Sequence, residues 1–131
     1  MKTPFAIGDI LVYTKVVQET EIAAFDSGVV HHVYATFALA KDAEWSTRLF
    51  VLQMKEAHEE GIGTFIHVDH IAPALVGSKV DFYARLDAVN GHEVLCSFEA
   101  KIGDRLIAKG NTGQKIIARE KLDRLMDALS S

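Results

Sequence analysis

The chain has 131 residues, 49% of them hydrophobic, with 14 basic against 18 acidic side chains and a formal net charge of −4. That is enough apolar residue for one domain with a genuine core and too little chain for two ordinary ones, so residues 1–131 read as a single domain. The acidic balance excludes a broad nucleic-acid footprint while leaving room for a small local anion site, which needs only two or three well-placed cations.

Cys96 is the only cysteine, which excludes an intrachain disulfide and any paired-cysteine metal centre. A reducing cytosol fits that usage. The N-terminus lacks an apolar core of signal-peptide length, and no uncharged apolar run approaches about 18 residues, so a soluble protein with no membrane partner is expected. No cofactor is implied.

In chain order, Ile10–Val17 is β-branched enough for a strand, and Gln18–Ser27 is a mixed stretch read as a short helix or lid. From Thr36 the pattern turns helical: Phe37, Ala40, Glu44, Thr47, Val51 and Met54 recur at intervals of three and four. Leu39, Trp45, Leu49, Phe50 and Leu52 add apolar residues on its other faces, which predicts a largely buried helix. Thr36 is placed as its N-cap, with Gly61 and Gly63 ending the pattern after the charged stretch Lys55 to Glu60.

After Gly63 the period becomes two, so that Thr64, Ile66, Val68 and His70 share one face of a strand. A second strand points Val80, Phe82, Ala84, Leu86 and Ala88 inward, and Asn90-Gly91 predicts a type I′ hairpin into His92–Lys101. Ile102-Gly103-Asp104 is a further turn into Arg105–Ile117, where Gly110 and Gly113 mark a bulge or a close backbone approach. Leu122, Leu125, Met126 and Leu129 outline a terminal amphipathic helix. A strand, a long buried helix and four hairpin-linked strands predict an α+β fold, an antiparallel sheet wrapped around one helix. One such sheet leaves an edge open, which a second copy would close.

Three polar groups are aimed at this interior. Glu44, among Ala40, Ala43 and Trp45, is either a helix salt-bridge partner of Lys41 and Arg48 or a general base or nucleophile. His70 is either a core histidine bonded to a carbonyl or a proton shuttle. Thr36 is a cap or a catalytic hydroxyl, and its eight-residue separation from Glu44 corresponds to about 12 Å of helix rise. The two cannot meet along one helix, so a common site requires a helix starting after Thr36 or a site shared between subunits. A metal centre from His67, Asp69 and His70, with His31 and His32 nearby in sequence, is disfavoured because alternate strand residues face opposite ways.

The runs Tyr34-Ala35-Thr36-Phe37, Ala43-Glu44-Trp45 and Gly63-Thr64-Phe65-Ile66-His67-Val68-Asp69-His70 resemble the fluoroacetyl-CoA thioesterase-like branch of the hot-dog-fold acyl-CoA thioesterases, over roughly residues 33–122. The resemblance implies a hot-dog fold and a homodimer acting on an acyl-CoA substrate. It implies Thr36, Glu44 and His70 as catalytic residues, and Gly63 beside the thioester, where the absence of Cβ lets a backbone N–H approach an oxyanion. Where the family often carries Gly-Thr-His-Glu-Arg, this chain has Gly110-Asn111-Thr112-Gly113-Gln114, so Gln114 takes the arginine's place in the expected substrate or CoA contact. Glu19–His32 is shorter than in the fluoroacetyl enzyme and lacks its run of phenylalanines, so fluorine selectivity is not implied. The expected activity is hydrolysis of a short acyl-CoA to free acid and CoA. The alternatives are an enoyl-CoA hydratase, for which no aspartate–histidine spacing is present, and a non-catalytic acyl-CoA or apolar-ligand-binding module.

Overall fold

A computed structural model describes residues 1–25 and 28–130, without the side chains of Phe25, Val29, Val30 and His31. Strand β1 (Ile10–Val16) is followed by a single 3-10 turn (Glu19–Glu21), β2 (Ile22–Phe25) and β3 (Gly28–Tyr34). Helix α1 (Thr36–Met54) leads into β4 (Glu59–His70), β5 (Lys79–Asn90), β6 (Glu93–Ile102), β7 (Arg105–Ala118) and α2 (Arg119–Leu129). The five long strands form one antiparallel sheet in the order β1-β5-β6-β7-β4, and β2 pairs with β3 as a separate ribbon. The expected α+β architecture is present, with β1 and β4 as the two sheet edges.

Helix α1 packs on the sheet through two apolar clusters. Leu39 and Ala43 join Tyr34, Val80, Phe82 and Phe98 in one, while Phe50, Val51 and Met54 join Leu86, Val94 and Ile116 in the other. The helix positions between them, Ser46 and Thr47, are polar and buried. Cys96 belongs to the second cluster, where burial pushes its thiol up to about 12, as suits an inert core cysteine.

Several local expectations are corrected. The short helix or lid expected in Gln18–Ser27 is one 3-10 turn and a strand, because Ile22–Phe25 finds a pairing partner in β3; Asp26 and Ser27 lie outside the described residues. Ala35, not Thr36, is the N-cap of α1, and the helix ends at Met54 with Lys55 already extended. Gly61 and Gly63 therefore sit inside β4. Nor is α1 buried all round: Phe37, Trp45 and Leu52 are exposed on the side away from the sheet. At the β5–β6 turn the central residues are Gly91 and His92, and only Gly91 has a positive φ, 62°, which departs from the two positive angles of a type I′ turn.

A bulge in β4 reorganises its two faces. Opposite β7, Gly63 pairs with Gln114 and Phe65 with Gly113, leaving Thr64 as the extra residue. A Cβ on Gly113 would lie 2.2 Å from the Phe65 ring and 2.8 Å from Thr64 Oγ1, so both residues of the bulge occupy the outer face. Gly63, rather than the expected Thr64, thereby joins Ile66, Val68 and His70 on the helix side. Helix α2 forms where expected but buries none of its residues, and its N-cap Ala118 makes no side-chain capping bond.

Candidate active site

Thr36 opens α1 and His70 closes β4, and the fold brings them together, with Thr36 Oγ1 2.9 Å from His70 Nδ1. The roles of donor and acceptor follow the imidazole tautomer. Burial lowers the His70 pKa, and a backbone hydrogen bond with Ala72 opposes that shift. Its neutral form is favoured accordingly. His70 Nε2 is buried without a hydrogen-bond partner among the described residues. The pair lines a cavity of about 240 Å³ with Tyr34, Ala35, Ile71 and Pro73.

Glu44 lies two helical turns further on, in a different recess of about 590 Å³ bordered by Tyr13, Phe37, Trp45, Arg48 and Ile66. It is half-buried rather than enclosed. The Glu44 carboxylate rests on Gly63, where a Cβ would stand only 2.8 Å from Oε1. Glycine is what lets helix and strand approach this closely. No hydrogen bond or ion pair engages the carboxylate among the described residues, so the salt bridges to Lys41 and Arg48 allowed by spacing are not made. Arg48 Nη1 instead donates to the Gly61 carbonyl at 3.0 Å, tying α1 to β4 one turn below Glu44.

The backbone of Glu44 is held from below. Thr47 Oγ1 donates to the Glu44 carbonyl at 2.9 Å and receives hydrogen bonds from Thr112 Oγ1 at 2.9 Å and Gln114 Nε2 at 3.4 Å. Gln114 is 1% exposed, and its Oε1 is buried without a partner among the described residues. Gln114 therefore sits in the core beneath the helix, with no surface to offer a CoA molecule in this chain. Sequence reasoning could have paired Thr47 with neither, because the match depends on β7 passing under the middle of α1.

A second polar cluster also escaped the sequence reading. Tyr34 donates a hydrogen bond to Asp42, and Lys15 Nζ stands 2.8 Å from Glu21 Oε2 and 3.9 Å from Asp42 Oδ1. Burial raises the Asp42 pKa against the opposing pull of Tyr34 and Lys15. The cluster ties β1, the 3-10 turn, β3 and α1 together just beyond Thr36. Eight residues separate Tyr34 from Asp42, an interval whose only local signal was a carboxylate on the buried helix face. Among the described residues no group of three or more His, Cys, Asp and Glu side chains could hold a metal ion.

Comparison with known proteins follows the same lines. The family model described as fluoroacetyl-CoA-specific thioesterase matches residues 17–120. Comparison with curated proteins finds no match. Among solved structures, a Thermus thermophilus protein described as a thioesterase superfamily member is 34% identical, with a TM-score of 0.92 over 97% of this chain and 94% of that one. A structure of the fluoroacetyl-CoA-specific thioesterase FlK is 22% identical, covering 96% of this chain and 98% of its own with a TM-score of 0.87. A hot-dog-like protein from Thermanaerovibrio acidaminovorans is 18% identical, with a TM-score of 0.88 over 97% of this chain and 94% of that one. The two more distant structures share the fold. With the sheet, the helix and the placement of Thr36, Glu44, Gly63 and His70 established, the family match carries the assignment: the chain belongs to the fluoroacetyl-CoA-specific thioesterase family and is a thioester hydrolase of hot-dog fold.

Proposed function

We propose that this protein hydrolyses a short-chain acyl-CoA thioester to the free acid and CoA, acting in the cytoplasm as a homodimer. The observation that carries the reading is the Glu44 carboxylate, lying over Gly63 and engaged by no cation among the described residues. Glu44 either removes a proton from the attacking water or attacks the carbonyl itself. The Gly63 N–H holds the oxyanion, the C–S bond breaks, and the departing thiolate takes a proton delivered through His70, which Thr36 orients. Water supplies the hydroxyl of the acid and the proton of the thiol, so the reaction balances without a cofactor.

The dimer follows from what one chain leaves open. Edge strand β4 is 12 residues long and exposes Phe65 and Ile66 at 49% and 38%, and the outer face of α1 exposes Trp45. An edge of that length invites pairing with a second copy. Such pairing would also let the Thr36–His70 pair of one subunit and the Glu44 of the other act on one thioester. The lone buried Cys96 suits a reducing compartment, and no helix among the described residues is long and apolar enough to cross a membrane.

Thiol release from a panel of acyl-CoAs tests the reading directly. Turnover highest on short acyl groups is expected. Saturable CoA binding without thiol release would make the protein a ligand-binding module, and loss of enoyl absorbance without thiol release would make it a hydratase.

A further inference from the structure

The entrance of helix α1 lacks an ordinary cap. A helix begins with backbone N–H groups that call for a side-chain acceptor, yet Ala35 at the N-cap has none to offer and no side-chain capping bond is made. Thr36, the next residue, has its hydroxyl engaged by His70. The entrance is held instead through Tyr34. Its N–H donates to the Ala74 carbonyl at 2.8 Å, in the segment that follows His70, and the N–H of Ala35 donates to the Glu21 carbonyl at 2.8 Å. From that double tether the Tyr34 side chain reaches Asp42 on α1 and donates its phenol hydrogen to the carboxylate. Asp42 stands six residues beyond Thr36, about 9 Å of helix rise, so the link braces the first turns of the helix.

Both ends of the link are buried. The phenol donates to Asp42 Oδ2, while Lys15 Nζ lies 3.9 Å from Oδ1, so each carboxylate oxygen faces a different partner. Two apolar side chains of similar volume would fill the same space without the cost of taking a carboxylate and a phenol out of water, so packing alone does not account for the pair. What the pair adds is direction, because one donor and one acceptor in a dry interior fix the distance between the end of β3 and the second turn of α1. Thr36 lies inside the loop of chain that this bond closes, and Tyr34 is tied by its own N–H to the segment leaving His70. We infer that Tyr34 and Asp42 are positioning residues whose hydrogen bond holds Thr36 within reach of His70. The inference rests on the reading of Thr36 and His70 as catalytic groups above, and the pair acts through Thr36 rather than on the thioester.

Three variants separate the bond from the space it fills. Tyr34→Phe removes one oxygen and strands the buried acid, whereas Tyr34→Phe/Asp42→Leu replaces the pair by apolar groups and keeps the interior folded if the single variant does not. Asp42→Asn retains an oxygen that can accept from the phenol. Each is compared with wild type in kinetics on the fastest acyl-CoA of the panel and in the imidazole nitrogen resonances of histidine-labelled protein, those of His70 being identified by their loss in His70→Asn. In the first two variants kcat is expected to fall about tenfold with KM little changed, and the His70 Nδ1 resonance to move toward that of an unbonded imidazole; Asp42→Asn should recover most of both. A His70 resonance at its wild-type position in the double variant would overturn the inference whatever the stability or the rate, and so would a moved resonance with kcat unchanged. Asp42→Asn behaving like the double variant would transfer the role from the hydrogen bond to the charge and refute it as well. If no acyl-CoA is cleaved, a moved resonance still upholds the link from Tyr34 to the Thr36–His70 contact, and only the hydrolase reading fails.

Discussion

Helix α1 and strand β4 meet at the two points that the proposed reaction would use, and the two are built differently. At the first, Thr36 and His70 are joined by a direct 2.9 Å hydrogen bond inside one chain. At the second, Glu44 touches Gly63 with no hydrogen bond to its carboxylate among the described residues, while Arg48, which could have paired with it, donates to a carbonyl of β4. The first contact is made within the chain, and the second presents a carboxylate without a partner among the described residues. The contrast teaches that the chain spends its polar contacts on fixing the backbone around Glu44, through Thr47, Thr112 and Gln114, rather than on neutralising the side chain.

The largest expected effect comes from removing the uncommitted group. Glu44→Gln keeps the shape and abolishes the base or nucleophile, so kcat should fall by about 10² to 10⁴ with KM little changed. A variant that lost stability with turnover intact would return Glu44 to a structural role.

Whether the two points serve one reaction is a question about the proposed dimer. Mixing inactive Thr36→Ala and Glu44→Gln subunits should restore about a quarter of wild-type turnover per total site, since half of a random dimer population is mixed and each mixed dimer has one intact site. Subunit exchange is verified by mass spectrometry of tagged chains. Mixed dimers that stay inactive would confine Thr36 and Glu44 to sites within their own chains.

A smaller effect isolates the support under Glu44. Thr47→Val strands Thr112 and Gln114 with buried polar groups, a cost of about 1–3 kcal/mol, and frees the Glu44 carbonyl. A fall in kcat of about tenfold with KM unchanged, restored by Thr47→Ser, would identify Thr47 as a positioning residue. Lower thermal stability with normal kcat would leave it a packing residue only.

The subtlest expectation concerns pH. Burial lowers the His70 pKa below 6.5, so between its folded value and 6.5 the unfolded chain binds a proton that the folded chain does not. The stability contributed by neutral His70 is fully present above pH 6.5, falls as pH drops through that window, and levels off below the folded value. Urea unfolding of wild type and His70→Asn across pH 5–7 should show this acid-side loss in the wild type alone. Parallel curves would show that His70 titrates as in the unfolded chain.

Much of this architecture is written in local periodicity. Alternation in β5 and β6, the three-and-four spacing of α1 and the glycines of the hairpins are short-range signals, because side-chain direction follows residue by residue from backbone geometry. Strand β3 is a tertiary product: Gly28–Tyr34 becomes a strand by pairing with β2. The start of α1 departs from its local signal for a related reason. A threonine at a helix entrance is a good cap in isolation, but its hydroxyl goes to His70, 34 residues away.

The sequence by itself determined an α+β chain with an apolar core, an acidic balance, a thiol fit only for the interior, and a resemblance that singles out Thr36, Glu44, Gly63 and His70. Only the tertiary structure decided how they gather. The bulge at Thr64 turned Gly63 to the same face as His70, because one extra residue in a strand of period two exchanges its faces from that point on. The descent of α1 onto β4 put Glu44 over Gly63, and the passage of β7 beneath the helix drew Gln114 into the core. Each depends on where a distant strand lies, information that no local spacing carries.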